Sequence, residues 1–505
     1  MSARTRRTFL KLSVAACLGA VGMESFGAPE GLEPIVDRLA SDPRRPQYHL
    51  LPARNWMNDP NGPIYFSGKY HMFFQYNPAG PLWGNMSWNH AISNDMIHWR
   101  HEPVAFTMTP GGPDAAGCFS GTTILGSHNG KPRVYAIYTG VIKDELHETI
   151  RNEGLRESQC LAWSEDSQLR SWNKCQQPVI PNPPSGMQIT GFRDPSVWKQ
   201  GEDYLMVVGS GIQETGGCVL LYRSKNLKDW EYLHPLVQGT WSGIAGSNPV
   251  GTGEMWECPD LFALDGKHVL IYSTMGKVFW QSGSFDLVTL KFRPEKSGVI
   301  DLDAFYAPKT QLDSQGRRIL WGWIPERRSQ QEIVKAGWSG MMSLPRVLHL
   351  DKDGMLRMEM LPEISALRRN PLQREASQNQ FVQTLPRATG ELLCAADGAS
   401  DLKLRISVGD HTLMDLSYLA ATQSWMADGK PVALPSVDLP KAHAFFDGSV
   451  VELVLNERIS YTKRFYYPGG VAPDISVHLT GAGARLDAWE ISPISEDRLT
   501  SIASA

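Results

Sequence analysis

A short phrase, Ser-x-Asp or Ser-x-Asn followed by Trp, recurs at Ser93 to Trp99, Ser164 to Trp172 and Ser224 to Trp230, with Ser284-Phe285-Asp286 as a worn fourth copy. A unit repeated at such spacing is one supersecondary element that buries its apolar face only against its neighbours. Around these phrases lie short apolar-polar alternations broken by Gly, Pro, Asn and Asp, as at 62–76, 133–140, 204–209 and 268–273. That period belongs to strands, and long helical periodicity is nearly absent before residue 360. Unusual polar phrases begin near Asp59, Ser120, Asp194, Glu257 and Asp303, roughly 50 to 75 residues apart, which suits one four-stranded propeller blade each. The chain therefore reads as all-β, with five blades. The repeated phrase marks an outer hairpin, and the polar phrases sit on the innermost strands, which converge on the propeller axis.

The 505 residues exceed one ordinary domain. Residues 45–355 read as the five-bladed β-propeller and 356–370 as a linker with a short helix. Residues 371–505 change character, and alternations such as 401–408 and 450–455 read as a C-terminal β-sandwich.

Three acids stand in polar, proline-bearing contexts: Asp59 in Trp56-Met57-Asn58-Asp59-Pro60-Asn61-Gly62, Asp194 in Arg193-Asp194-Pro195, and Glu257 in Trp256-Glu257-Cys258-Pro259-Asp260. A glycosidase needs one carboxylate to attack the sugar, one acid to protonate the leaving oxygen and a group that grips the ring. Pro60 biases Asp59 to extended backbone, and Asn58 and Asn61 offer hydrogen bonds that keep a nucleophile ionised. As a bare string, Asn58 to Gly62 is also good turn chemistry. The apolar neighbours of Glu257 favour a neutral carboxyl, as a proton donor requires.

The ordered set resembles glycoside hydrolase family 32, the invertases and fructan hydrolases, from about Tyr48 to the C-terminal region. The resemblance implies a propeller followed by a sandwich, with Asp59 as nucleophile, Glu257 as acid/base and Asp194 stabilising the transition state. Arg193 orients the acids. Phe74-Gln75-Tyr76-Asn77-Pro78 resembles a second family motif, with Gln75 on the sugar, and Trp83-Gly84-Asn85 offers Trp83 as a pocket wall. Phe119-Ser120-Gly121-Thr122 resembles a third, giving an aromatic wall and a hydroxyl. Phe305-Tyr306-Ala307, Trp321-Gly322-Trp323 and Gly337-Trp338-Ser339-Gly340 also match, with Trp338 as a sugar contact. Trp88-Asn89-His90 departs from the commoner pattern, which has a small residue at Asn89. The implied activity is a retaining β-fructofuranosidase acting on terminal fructosyl units of sucrose or fructans. An exo-levanase or inulinase, a fructosyltransferase and a non-catalytic fructan-binding propeller are the alternatives. The expected partner is a fructoside, small or polymeric, and no cofactor or metal is expected.

Other signals are weaker. Val208-Gly209-Ser210-Gly211 lacks the third glycine of a dinucleotide loop, and Asp351-Lys352-Asp353-Gly354 lacks the ligands of a calcium loop, so both read as turns. The formal charge of −4, with scattered Lys and Arg, leaves no nucleic-acid footprint. Residues 1–28, with Arg6-Arg7 ahead of a short apolar stretch, resemble a twin-arginine signal, implying export without a membrane span. Val14-Ala15-Ala16-Cys17 fits a lipoprotein box, with Cys17 as a lipid anchor. The other six cysteines show no C-x-x-C pair and are expected as mostly buried free thiols.

Overall fold

The alternations become five small antiparallel sheets followed by two larger ones in a computed structural model, which describes residues 32–143, 155–244, 246–372, 375–377, 379–434 and 439–495. The amino-terminal signal and Cys17 lie outside them. The five small sheets begin with the strands Asn55–Phe66, Gly117–His128, Ile189–Gln200, Glu257–Leu264 and Tyr306–Leu312. Each first strand pairs with the next strand in sequence, as a meander does. The first strands also pack against one another in order, and Tyr306–Leu312 lies beside Asn55–Phe66. A clasp ties the two ends of this region: Trp338–Ser339 pairs in parallel with Asn55 and Trp56 of the first sheet, while Met341–Met342 pairs within the fifth.

Every first strand carries an irregularity near its start. Register shifts fall between Met57 and Pro60, Cys118 and Gly121, Arg193 and Ser196, Glu257 and Asp260, and Tyr306 and Lys309. Bulges of this kind interrupt pairing and re-aim side chains. Asp194, Cys258 and Ala307 each precede a proline and hold φ of +64°, +49° and +50°. Left-handed backbone ahead of proline is sterically costly, so local strain concentrates at the shared end of the sheets.

The repeated phrase is one turn used several times. Ser93 Oγ accepts from the backbone N–H of Asp95 and Met96, Asp95 accepts from Ile97 and His98, and Trp99 Nε1 donates to Met96 O. Ser164 with Trp172 and Ser224 with Trp230 repeat the scheme, the indole donating to Leu169 O and Leu227 O. Met96, Leu169 and Leu227 are all left-handed, and so is Leu290 after Asp286, which marks the fourth copy. These side chains satisfy the turn's own amides, which is why the phrase survives while its surroundings vary.

The six-stranded and seven-stranded sheets that follow share one apolar core, including Leu392, Phe446 and Leu453 from one and Leu404, Leu416, Trp425 and Val477 from the other. The segment expected as a linker is structured: Leu356–Met360 pairs with Arg346–Leu350, and a 3-10 turn spans Pro362–Leu367. A buried ionic network joins the two regions. His49 bridges Asp447 at 2.8 Å and Glu452 at 2.9 Å, and Glu452 also takes Arg346. The two carboxylates raise the His49 pKa to about 9 against the opposing effect of burial.

Candidate active site

The bulged ends bring the three acids together. Asp59 Oδ2 accepts from Ser120 Oγ at 2.5 Å, and Asp59 Oδ1 accepts from Asn58 Nδ2 at 3.0 Å. Asn58 Oδ1 accepts from Trp56 Nε1, and Asn58 Nδ2 also donates to Gln75 Oε1, while Gln75 Nε2 donates to Ser120 Oγ. Asn58, Asp59, Gln75 and Ser120 thus form one network across two sheets. Asn61, wholly buried, lies with its amide near Gln75 N and Trp88 Nε1 and supports the strand from behind.

Cys258 links Asp194 to Asp59. Its N–H donates to Asp194 Oδ2 at 3.0 Å, and its Sγ lies 3.4 Å from Asp194 Oδ2 and 3.6 Å from Asp59 Oδ2. The neighbouring Glu257 accepts on Oε1 from Arg193 Nε and Nη2, at 3.0 and 2.8 Å, and on Oε2 from the Tyr306 hydroxyl at 2.7 Å. The apolar setting expected for Glu257 is therefore absent: Arg193 and Tyr306 claim its oxygens. Trp256 turns away and stacks on Tyr272 with centroids 3.9 Å apart. Gly217 and Gly239 make room for its indole, since a Cβ on either would fall within 2.6 Å of the ring.

Arg193 reaches further, through Nη1, to Glu157 Oε1 at 2.8 Å, and Glu157 Oε2 accepts from Phe192 N. One guanidinium thus holds two carboxylates, a use to which arginine's several fixed donors suit it. Asp194 N donates to Thr139 Oγ1, which donates to Gln159.

Burial dominates the electrostatics. It pushes the Asp59 carboxyl above the usual range, with the Ser120 and Asn58 donors pulling back. Asp194 is pushed up to about 7, first by burial, then by Glu257, with Arg193 opposing and Asp59 adding. Donors aimed at a carboxylate favour its charged form, so Ser120 and Asn58 oppose the effect of burial on Asp59.

The Asp194 shift has a signed consequence for stability. A carboxyl with a raised folded-state pKa favours the fold when protonated. That contribution is complete below the ordinary value of 3.8 and is lost as pH rises through about 7. Asp194→Asn is therefore expected to gain melting temperature over wild type progressively between those limits, measured by scanning fluorimetry across pH. A difference independent of pH would contradict it.

Trp83 and Phe119 meet edge to face, centroids 6.0 Å apart, both half-buried. Trp338 does not join them. It is fully buried with Leu39, Leu51, Ile324 and Val450, donates to Asp42, and carries the Arg45, Arg328 and Arg464 guanidiniums against its ring. Its assignment as a sugar contact is corrected to a buried clasp residue. Sequence reasoning missed Glu157, Thr139 and the placement of Cys258 between two acids. The only signal for Glu157 was a charge within the otherwise uncharged run after Arg156.

The six cysteines from Cys118 to Cys394 are free, five buried and Cys175 half-buried, in line with the expectation.

Known proteins resemble this arrangement over most of the chain. The family model described as glycosyl hydrolases family 32 N-terminal domain matches residues 49–359. A sucrose-6-phosphate hydrolase of Escherichia coli is 33% identical over 460 residues, covering 86% of this chain and 91% of its own. A raffinose invertase of Escherichia coli is 32% identical over 472 residues, covering 87% and 93%. The solved GH32 β-fructofuranosidase of Bombyx mori superposes with a TM-score of 0.76 at 27% identity, over 92% of this chain and 97% of its own. A mutant of that enzyme has been solved in complex with sucrose.

Proposed function

The chain belongs to glycoside hydrolase family 32, and we propose that within this family of glycosidases it is a retaining β-fructofuranosidase. The observation that carries the reading is the convergence of Asp59, Asp194 and Glu257 around Cys258 and Arg193. Relatives with invertase and β-fructofuranosidase names support the substrate class, a terminal β-D-fructosyl unit of sucrose or a fructan.

In the proposed reaction Asp59 attacks the anomeric carbon of the fructosyl unit, and Glu257 protonates the departing glycosidic oxygen. Glu257 Oε1 is held by the Arg193 guanidinium, which leaves Oε2, beside the Tyr306 hydroxyl, as the oxygen that delivers the proton. A fructosyl ester on Asp59 results. Glu257 then takes a proton from water, which displaces Asp59 and releases fructose with its configuration retained. Asp194 accepts hydrogen bonds from sugar hydroxyls, which strengthen as positive charge develops and contribute several kcal/mol, on the order expected of such contacts. Gln75 and Asn58 position sugar and nucleophile together, and Trp83 and Phe119 wall the site.

The five small sheets, whose first strands neighbour one another in sequence order, support a five-bladed propeller over 45–355, its last strand reaching Met360. The shared core of the two larger sheets supports a sandwich over 371–505, with 356–370 between them. Residues 1–28 are proposed as a twin-arginine signal that exports the enzyme, with Cys17 as a site for lipid attachment.

The test is incubation of protein lacking residues 1–28 with sucrose, inulin and levan, beside Glu257→Gln. Fructose release that falls by roughly 10²–10⁴-fold in the variant is expected. No release from any of the three by folded protein would overturn the substrate class.

A further inference from the structure

The three complete copies of the repeated turn differ in what their tryptophan meets. Trp99, 4% exposed, lies edge-on to Trp321, with centroids 5.6 Å apart. Trp172 lies edge-on to Phe73 and Phe106, at 5.4 and 5.7 Å. Trp230 has the same turn and the same indole hydrogen bond, yet among the described residues no other ring stacks on it or meets it edge-on. It is half-buried against the core of the third sheet and lines a surface cavity of about 560 Å³.

Polar groups surround that indole. Arg223 Nη2 donates to Glu231 Oε2 at 2.7 Å, with 41% and 60% of the side chains exposed. Lys225 pairs with Asp203 at 2.5 Å, and Asn226 Nδ2 donates to Asp229 Oδ2 at 2.8 Å. Two cations thus face three acids, which gives little net charge and does not suit a phosphate or another strong anion. Amide, carboxylate and guanidinium groups beside an aromatic face suit a neutral polyhydroxylated ligand: hydroxyls take the polar groups, and the ring covers the C–H face of a sugar.

The third sheet's first strand, Ile189–Gln200, carries Asp194 midway and runs on away from it to Gln200, and the next strand begins at Asp203. The cavity therefore lies at the end of the sheet away from the acids, where it takes no part in bond cleavage. We propose that this cavity is a distal binding site for a β-fructan chain, with Trp230 as its stacking platform, which tethers the enzyme to polymeric substrate. The ligand class rests on the β-fructofuranosidase reading.

The test compares Glu257→Gln with Glu257→Gln/Trp230→Ala in native gels containing levan, with dextran gels as control. A second pair carries Arg223→Ala/Glu231→Ala, exposed positions whose loss leaves the fold intact. Loss of the aromatic platform is expected to weaken levan retardation by roughly tenfold, as an aromatic anchor's removal does elsewhere. The exposed pair should weaken it in the same direction, while dextran retards neither parent nor variants. Sucrose turnover by Trp230→Ala and by Arg223→Ala/Glu231→Ala, each with Glu257 intact, should match wild type. Levan retardation unchanged in both variants, with sucrose turnover normal, would overturn the distal site and leave the proposed activity standing. Equal retardation by dextran would overturn the fructan assignment. Trp230-dependent retardation by levan in a protein that hydrolyses no fructoside would uphold the site and overturn the activity.

Discussion

Asp59→Asn is expected to lower sucrose turnover by roughly four orders of magnitude or more, the scale on which loss of a nucleophile acts in other enzymes. The fold should survive, because asparagine keeps an acceptor for Ser120 and removes a charge that burial disfavours. A melting temperature equal to or above wild type, with turnover gone, is therefore the expected pair of results. Steady-state kinetics with a thermal melt on the same sample checks both. Turnover within tenfold of wild type would mean that Asp59 is not the attacking group.

Arg193→Met is expected to damage both activity and fold. Arg193 holds Glu257 through two nitrogens and Glu157 through a third, and the Glu157 side chain is fully buried. Removing the cation leaves a buried carboxylate without its counter-charge, a change that costs about 3–5 kcal/mol in comparable sites. Glu257 loses its orientation at the same step. Urea unfolding of Arg193→Met should show that loss, and Arg193→Met/Glu157→Gln should recover part of the stability without recovering turnover. A single variant as stable as wild type would contradict the account of Arg193 as the central counter-charge.

Much of this was legible in the sequence because it rests on local chemistry. The Ser-x-Asp turn satisfies its own amides, so its residues cannot drift freely, and its recurrence exposed the sheets. Asp59, Asp194 and Glu257 sit in phrases that proline and asparagine make conspicuous, and the structure brings them together. The remainder depended on distant contacts. Trp338 carries a motif that pointed to a sugar, but Arg45, Arg464 and Asp42, brought from far along the chain, enclose it in the clasp together with the nearby Arg328. Glu257 has apolar sequence neighbours, yet its spatial neighbours are Arg193 and Tyr306. Glu157 is marked locally only by its lone charge, and the partner that explains it lies 36 residues away. The bulges share the same limit: a proline signals irregular pairing, whereas no local residue announces the left-handed φ at Asp194, Cys258 and Ala307.

The central claim is that Asp59 and Glu257 act in sequence through a fructosyl ester. The direct measurement is carbon-13 NMR of the fructose C2 signal during cleavage of C2-labelled sucrose in the first moments, before the released sugar mutarotates. The proposed double displacement requires the β anomer of fructose to appear first. First appearance of the α anomer would mean a single inverting displacement by water, and the assignment of Asp59 as nucleophile would fall with it.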